Sequence, residues 1–153
     1  MRKAFSLVEV MVVVLVIGIL AAVVVPRFAG ATEQARTAAV ESSLGSVRTA
    51  IANFRARAMI TGSTPFPTAA QLSATGPVLR TGTPSNPFNN QSGVQSVSRA
   101  AAEARLVSNT SSFGWNYFVD NSSDPPVAIF YANSEEVTTT EDSSGTAVPA
   151  NML

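Results

Sequence analysis

Glu9 is the residue whose setting most needs a chemical explanation. It lies inside Phe5–Pro26, FSLVEVMVVVLVIGILAAVVVP, where Val10 to Val25 carries no charge and is almost wholly aliphatic. Carrying a carboxylate into hydrocarbon costs roughly 2.5–3.5 kcal/mol on insertion scales, so an acid there calls for a partner of opposite charge. A place at the bilayer surface is the plainer alternative. Farther along, Asp120, Asp124, Glu141 and Asp142 offer the oxygen ligands that calcium takes, but lack the spacing and glycine of an EF-hand loop. Solvated turn acids are the competing reading, and no other cofactor is expected. The chain has no histidine and no cysteine, which removes the commonest general base, the commonest metal ligand and any disulfide framework. Its one lysine, Lys3, lies at the N-terminus, so the many serines have no evident base to activate them. No catalytic residue is expected, and the chain does not read as an enzyme.

The elements that must hold Glu9 follow from length and hydropathy. A helix crossing a bilayer core needs ~20 predominantly apolar residues. The run reaches that length only if Phe5, Leu7 and Val8 are counted, and counting them brings Glu9 in. Arg2 and Lys3 mark the preceding side as cytoplasmic. Gly18 and Ala22 form a small-xxx-small pair that lets helices approach closely. Pro26 removes a helical hydrogen bond and clashes one turn back, so a kink or local opening is expected there. A secretory signal cut at Ala29-Gly30-Ala31 is the other reading of this region. The apolar run exceeds the usual ~7–15 residues of such a signal, Glu9 interrupts its start, and Pro26 and Arg27 separate it from the cut.

Arg2-Lys3-Ala4-Phe5-Ser6-Leu7-Val8-Glu9-Val10 resembles the leader and mature start of a type IV prepilin or pseudopilin. That superfamily has a short basic leader ending in a small residue, then Phe or Met, then an aliphatic helix with Glu as its fifth mature residue. The resemblance makes residues 1–4 the leader, with a membrane aspartyl peptidase cutting between Ala4 and Phe5 and N-methylating Phe5. Ala4 stands where the family usually has Gly, a departure that bears on cleavage efficiency. Cutting frees an α-amine at Phe5, one turn before Glu9. Pairing Glu9 with the Phe5 amine of an adjacent copy neutralises both charges and fixes the register between subunits. The resemblance also implies that the segment from Gly18 to Pro26 can melt as a subunit enters a filament.

Past Pro26 the helical pattern continues over 27–60. Val40, Leu44, Val47, Ile51, Phe54 and Ala58 form an apolar stripe at alternating steps of four and three, with Glu41, Arg48, Arg55 and Arg57 off it. With the apolar span this makes one helix of about 55 residues, ~80 Å long at 1.5 Å per residue, ended by Gly62 and Pro65. Residues 61–112 read as a connecting region with short helical turns at Thr68–Leu72 and, capped by Ser98, over Ser98–Val107. Pro84 to Asn89 reads as consecutive turns and resembles the Asn-Pro-Phe turn of some major pseudopilins. Phe113 to Val119 alternates with period two, Val127–Ala132 returns, and Glu136–Thr140 gives a polar third strand. The expected fold is α+β, a long helix under a small antiparallel sheet at 113–142 with a flexible tail at 143–153.

Charge is segregated. From Arg27 to Arg105 eight arginines face three glutamates, whereas beyond Arg105 there are six acids and no base. Either the acidic flank folds over the chain's own basic helix, or neighbouring copies are complementary. The resemblance implies a homo-oligomeric filament, a prepilin peptidase, an inner-membrane assembly platform and minor pilins or pseudopilins as partners. It implies a single pass through the bacterial inner membrane, N-terminus cytoplasmic, with the globular domain periplasmic or on an extracellular filament. A type II secretion pseudopilin is favoured by the absence of cysteine pairs, a short connector with Asn86-Pro87-Phe88 and a compact sheet. A surface pilin and an anchored binding protein that never assembles are the alternatives. No nucleic acid is expected unless the pilus serves DNA uptake.

Overall fold

The computed structural model describes residues 6–153, apart from the side chains of Pro26, Arg27 and Ala29. Its first element, α1, is Leu7–Thr61. By contacts the chain divides into two units, Met1–Ala35 and Arg36–Leu153. In the first, α1 is long and apolar enough to cross a membrane. Its aliphatic side chains, Leu7, Met11, Leu15 and Ile19 among them, are exposed. The helix continues through position 26, so proline there does not end α1.

In the second unit the stripe set by the 3.6-residue period is the buried face. Val40, Leu44, Val47, Ile51 and Ala58 are buried, and Phe54 packs at the edge of the same core. The helix stops where Gly62 takes φ 66° and the Ser63 amide turns back to the Ala58 carbonyl at 3.1 Å. That is a glycine-mediated stop that satisfies a terminal carbonyl.

Two short helices follow. In α2 (Ala69–Ser73) Thr68 and Gln71 form a reciprocal capping box, and in α3 (Arg99–Glu103) Ser98 caps the Ala101 amide. The main sheet is three-stranded in the order β1 (Val94–Ser96), β2 (Trp115–Asp120), β3 (Val127–Ala132). β2 and β3 pair antiparallel from Trp115 opposite Ala132 to Asp120 opposite Val127. Over the helix stripe they lay Trp115, Tyr117, Phe130 and Ala132, and the Trp115 and Phe130 rings stack at 5.4 Å. Burying this aromatic and aliphatic surface is the main stabilising term, each large side chain contributing roughly 1.5–3 kcal/mol.

The architecture differs from the sequence expectation in three places. The third strand of the main sheet is not the polar Glu136–Thr140 stretch but β1, a three-residue piece of the connecting region that pairs parallel to β2. The polar stretch forms β4 (Val137–Glu141), which pairs with β5 (Ala147–Pro149) in a separate two-stranded sheet. The end of the chain is therefore structured rather than a loose tail, and a 3-10 helix, Ala150–Met152, follows with Ala150 and Asn151 buried. The Thr139 amide donates to Thr37 Oγ1 at 3.0 Å, and Thr140 Oγ1 donates to Glu41. These bonds moor the β4–β5 ribbon to α1 within this unit.

Candidate assembly site and the polar surfaces of the second unit

Ala4 and Phe5, the expected cleavage and methylation positions, lie outside the described residues. Glu9 sits in the first turn of α1, where the Ser6 carbonyl accepts from the Glu9 amide at 3.1 Å and the Val10 amide at 3.3 Å. An acid in that turn is favoured by the unpaired N–H groups of the helix start. The side chain is exposed among exposed aliphatic residues. A charge on so apolar a surface calls for a counter-charge from outside its own helix. Gly18 and Ala22, one turn apart, are also exposed. A Cβ built on Gly18 meets nothing within 4 Å, so packing within this chain does not require glycine there.

The four acids considered for calcium do not converge. No group of three or more Asp or Glu side chains with metal-binding geometry occurs among the described residues. Asp120 Oδ1 accepts from the Ser122 amide at 2.9 Å, the Ser122 hydroxyl at 2.6 Å and the Ser123 amide at 3.2 Å. Asp142 Oδ1 accepts from the Ser144 amide at 2.8 Å, the Ser144 hydroxyl at 2.6 Å and the Thr146 amide at 3.0 Å. The serine hydrogen bonds hold both carboxyls below the ordinary carboxylate value, Ser122 for Asp120 and Ser144 for Asp142. Asp124 and Glu141 are exposed. The arrangement organises turns, and no step below runs through a metal.

A buried asparagine lattice, for which the sequence offered only turn signals, fixes the connecting region to the sheet. Asn86 donates to the Gly114 carbonyl at 2.9 Å and accepts from the Phe88 amide at 3.0 Å. Asn89 donates to the Phe113 carbonyl at 3.0 Å. Asn133 accepts from Asn116 at 3.0 Å and donates to the carbonyls of Ser108 and Phe113 at 2.7 and 2.8 Å. The Trp115 indole donates to the Pro84 carbonyl at 2.7 Å. Asn116 is buried on the face of β2 opposite Trp115 and Tyr117, so β2 is covered on both faces, which strict period-two alternation does not anticipate. Tyr117 donates to the Pro67 carbonyl at 2.9 Å, and burial raises its pKa.

A pocket of about 620 Å³ opens between α1 and β3, and Arg48, Arg55 and Arg105 line it with no acidic side chain among them. Arg48 donates to the Phe130 carbonyl at 3.2 Å and the Leu153 carbonyl at 2.7 Å. Burial, and then the nearby Arg105 guanidinium, lower the Arg48 pKa. Arg55 stacks over the Phe66 ring at 5.0 Å, and Arg105 over the Tyr131 ring at 5.3 Å. The Nη1 atom of Arg105 is buried without a hydrogen-bond acceptor.

Comparison with known proteins bears on the N-terminal third. Residues 1–25 match the prokaryotic N-terminal methylation motif. Over 50 residues the chain is 46% identical to the type IV narrow pilus major component PilA5 of Thermus thermophilus, covering 33% of this chain and 43% of that protein. Over 51 residues it is 41% identical to a type IV major fimbrial protein FimA of Dichelobacter nodosus, covering 33% of each. The match thus spans less than half the length of these relatives. No solved structure matches the chain. The N-terminal segment is a prepilin-type segment, similar to those of type IV pilins.

Proposed function

With a type IV prepilin N-terminus as the premise, we propose that this chain is a structural subunit of a type IV pilus-like filament. The observation that carries the reading is Glu9, a carboxylate in the first turn of an apolar helix with no ion pair among the described residues. In the processed subunit the α-amine of Phe5 supplies the missing charge to a neighbouring copy. Neither group is stable alone in hydrocarbon, and breaking a buried pair on one side costs about 3–5 kcal/mol. A helix one turn out of register therefore loses the pair, which sets the stagger between subunits. Before assembly the exposed aliphatic surface of α1 is held in the bilayer, and in the filament the same surface packs on other copies. Gly18 and Ala22 give these helices a face of close approach.

Prepilin peptidase cuts after Ala4 and methylates Phe5, and an inner-membrane platform with minor subunits adds each copy at the base. The finer assignment is a type II secretion pseudopilin, whose periplasmic filament drives export. It rests on the cysteine-free chain, the docked Asn86-Pro87-Phe88 turn and the small sheet. The similarity to major pilus and fimbrial proteins supports a surface pilin as the second reading. Glu9→Ala tests the common core. The variant is expected to insert and be processed but to yield no filaments. Filaments at wild-type abundance would show that the pairing does not exist. Recovery of wild-type filaments from sheared cells would select the surface pilin, and confinement to the envelope the pseudopilin.

A further inference from the structure

The filament reading leaves unexplained the arginine pocket between α1 and β3, with its floor of Ile51, Phe66 and Phe130. Arg48 is answered by the Leu153 main-chain oxygen at 2.7 Å, whereas Arg55 and Arg105 meet no acidic side chain in the pocket, and a buried Arg105 N–H has no acceptor. Cations gathered against apolar surface are stabilised by an anion brought from outside. The occupant that fits must carry carboxylates beside an apolar group. Such a segment exists on the same chain. Of the six acids beyond Arg105, Asp120 and Asp142 are committed to their own turns. Glu135 and Glu136 are adjacent and exposed, and neither carboxylate has a hydrogen bond or ion pair among the described residues. Val137 follows them, 61% exposed. These three residues line a different cavity that shares no residue with the arginine pocket.

We propose that the Arg48–Arg55–Arg105 pocket receives the Glu135-Glu136-Val137 segment of a second copy of this chain. The carboxylates meet Arg55 and Arg105, and Val137 covers the apolar floor. Because donor and acceptor patches are separate, each copy offers one of each, and the contact is head-to-tail. Repeated, such a contact gives an open array rather than a closed dimer. The segregation of basic and acidic residues along the chain then acts between copies, where it steers the encounter and fixes the register. The proposal rests on the filament reading and adds the globular surface through which subunits recognise one another.

The test uses the full-length chain in its native membrane, and the absence of cysteine makes the background clean. Arg55→Cys with Glu135→Cys in one chain should give, on mild oxidation, a ladder of cross-linked multimers. Arg55→Glu should lower filament yield at least roughly tenfold, a change equivalent to losing one such charge contact. Joined to Glu135→Arg and Glu136→Arg it should recover most of that loss, which a merely misfolded variant would not do. A ladder that stops at dimers would overturn the head-to-tail contact. Normal filaments from Arg55→Glu without the cross-link would overturn the pocket assignment and leave the filament reading intact. Absence of any filament from the wild-type chain would overturn both.

Discussion

At the scale of single residues, two side-chain decisions matter most outside the N-terminus. Gly114 is required by proximity. A Cβ there would lie 1.8 Å from the Gln91 carbonyl oxygen and 3.1 Å from Asn86 Cβ, so the turn from Pro84 to Gln91 can dock on β2 only against a bare backbone. Gly114→Ala is expected to destabilise the second unit by at least about 1–3 kcal/mol. Thermal unfolding followed through the near-ultraviolet signal of Trp115 reads this, and an unchanged midpoint would mean the turn is not docked. Asp142 is required by charge. Its carboxyl is held below the ordinary aspartate value because Ser144 and then Thr146 donate to the ionised form. Its contribution is therefore complete above the unfolded value and is lost as pH falls through the lower folded one. Amide-exchange protection in β4 and β5 should hold at neutral pH and fall on acidification, and Asp142→Asn should lower protection at neutral pH and blunt that response. Asn121 has its amide spent on both the N–H and the carbonyl of Phe66 at 2.9 and 3.0 Å. It is a clasp between the connecting region and the end of β2.

At the scale of elements, the helix and the polar strand near 136–140 were legible, and the pairing of that strand with β5 was not, for physical reasons. A stripe from Val40 to Ala58 repeats over several turns, so its period survives any local exception, and all of its members but the half-buried Phe54 are buried. Leu44, fully enclosed in that stripe, should cost roughly 2–5 kcal/mol when cut to alanine, measured by denaturant unfolding. A cost below 1 kcal/mol would mean the sheet does not rest on this face. The strands β1 and β5 span three residues each, too few for any period to register. The end of the chain has the small, polar composition of a tail. Its order comes from a turn in which Gly145 takes φ 78° and Asp142 caps two amides, followed by long-range bonds. Thr138 Oγ1 reaches the Val148 carbonyl at 2.6 Å, and Asn151 reaches the Arg105 carbonyl at 2.9 Å. Partners 10 and 46 residues away cannot be read from composition. Removing 147–153 should therefore expose the ribbon edge and raise protease sensitivity near β4, which a genuinely loose tail would not do.

At the scale of the whole molecule, the sequence divides its tasks along its length. The first unit carries a long exposed aliphatic surface, with Glu9 in the first turn of its helix. The second gathers Phe66, Trp115, Tyr117 and Phe130 in one core and uses its asparagines to hold a long connection against the sheet. The N-terminal motif was legible because its pattern is local, with a basic stretch, a Phe and a Glu within nine residues. The arginine pocket was legible only as a charge imbalance, since Arg48, Arg55 and Arg105 meet through folding alone. One measurement tests the central claim most directly, namely the intact mass of the protein recovered from the cell envelope and from sheared surface material. The account predicts a single species that begins at N-methylated Phe5. A chain that still carries Met1, or one that begins near Thr32, would contradict it.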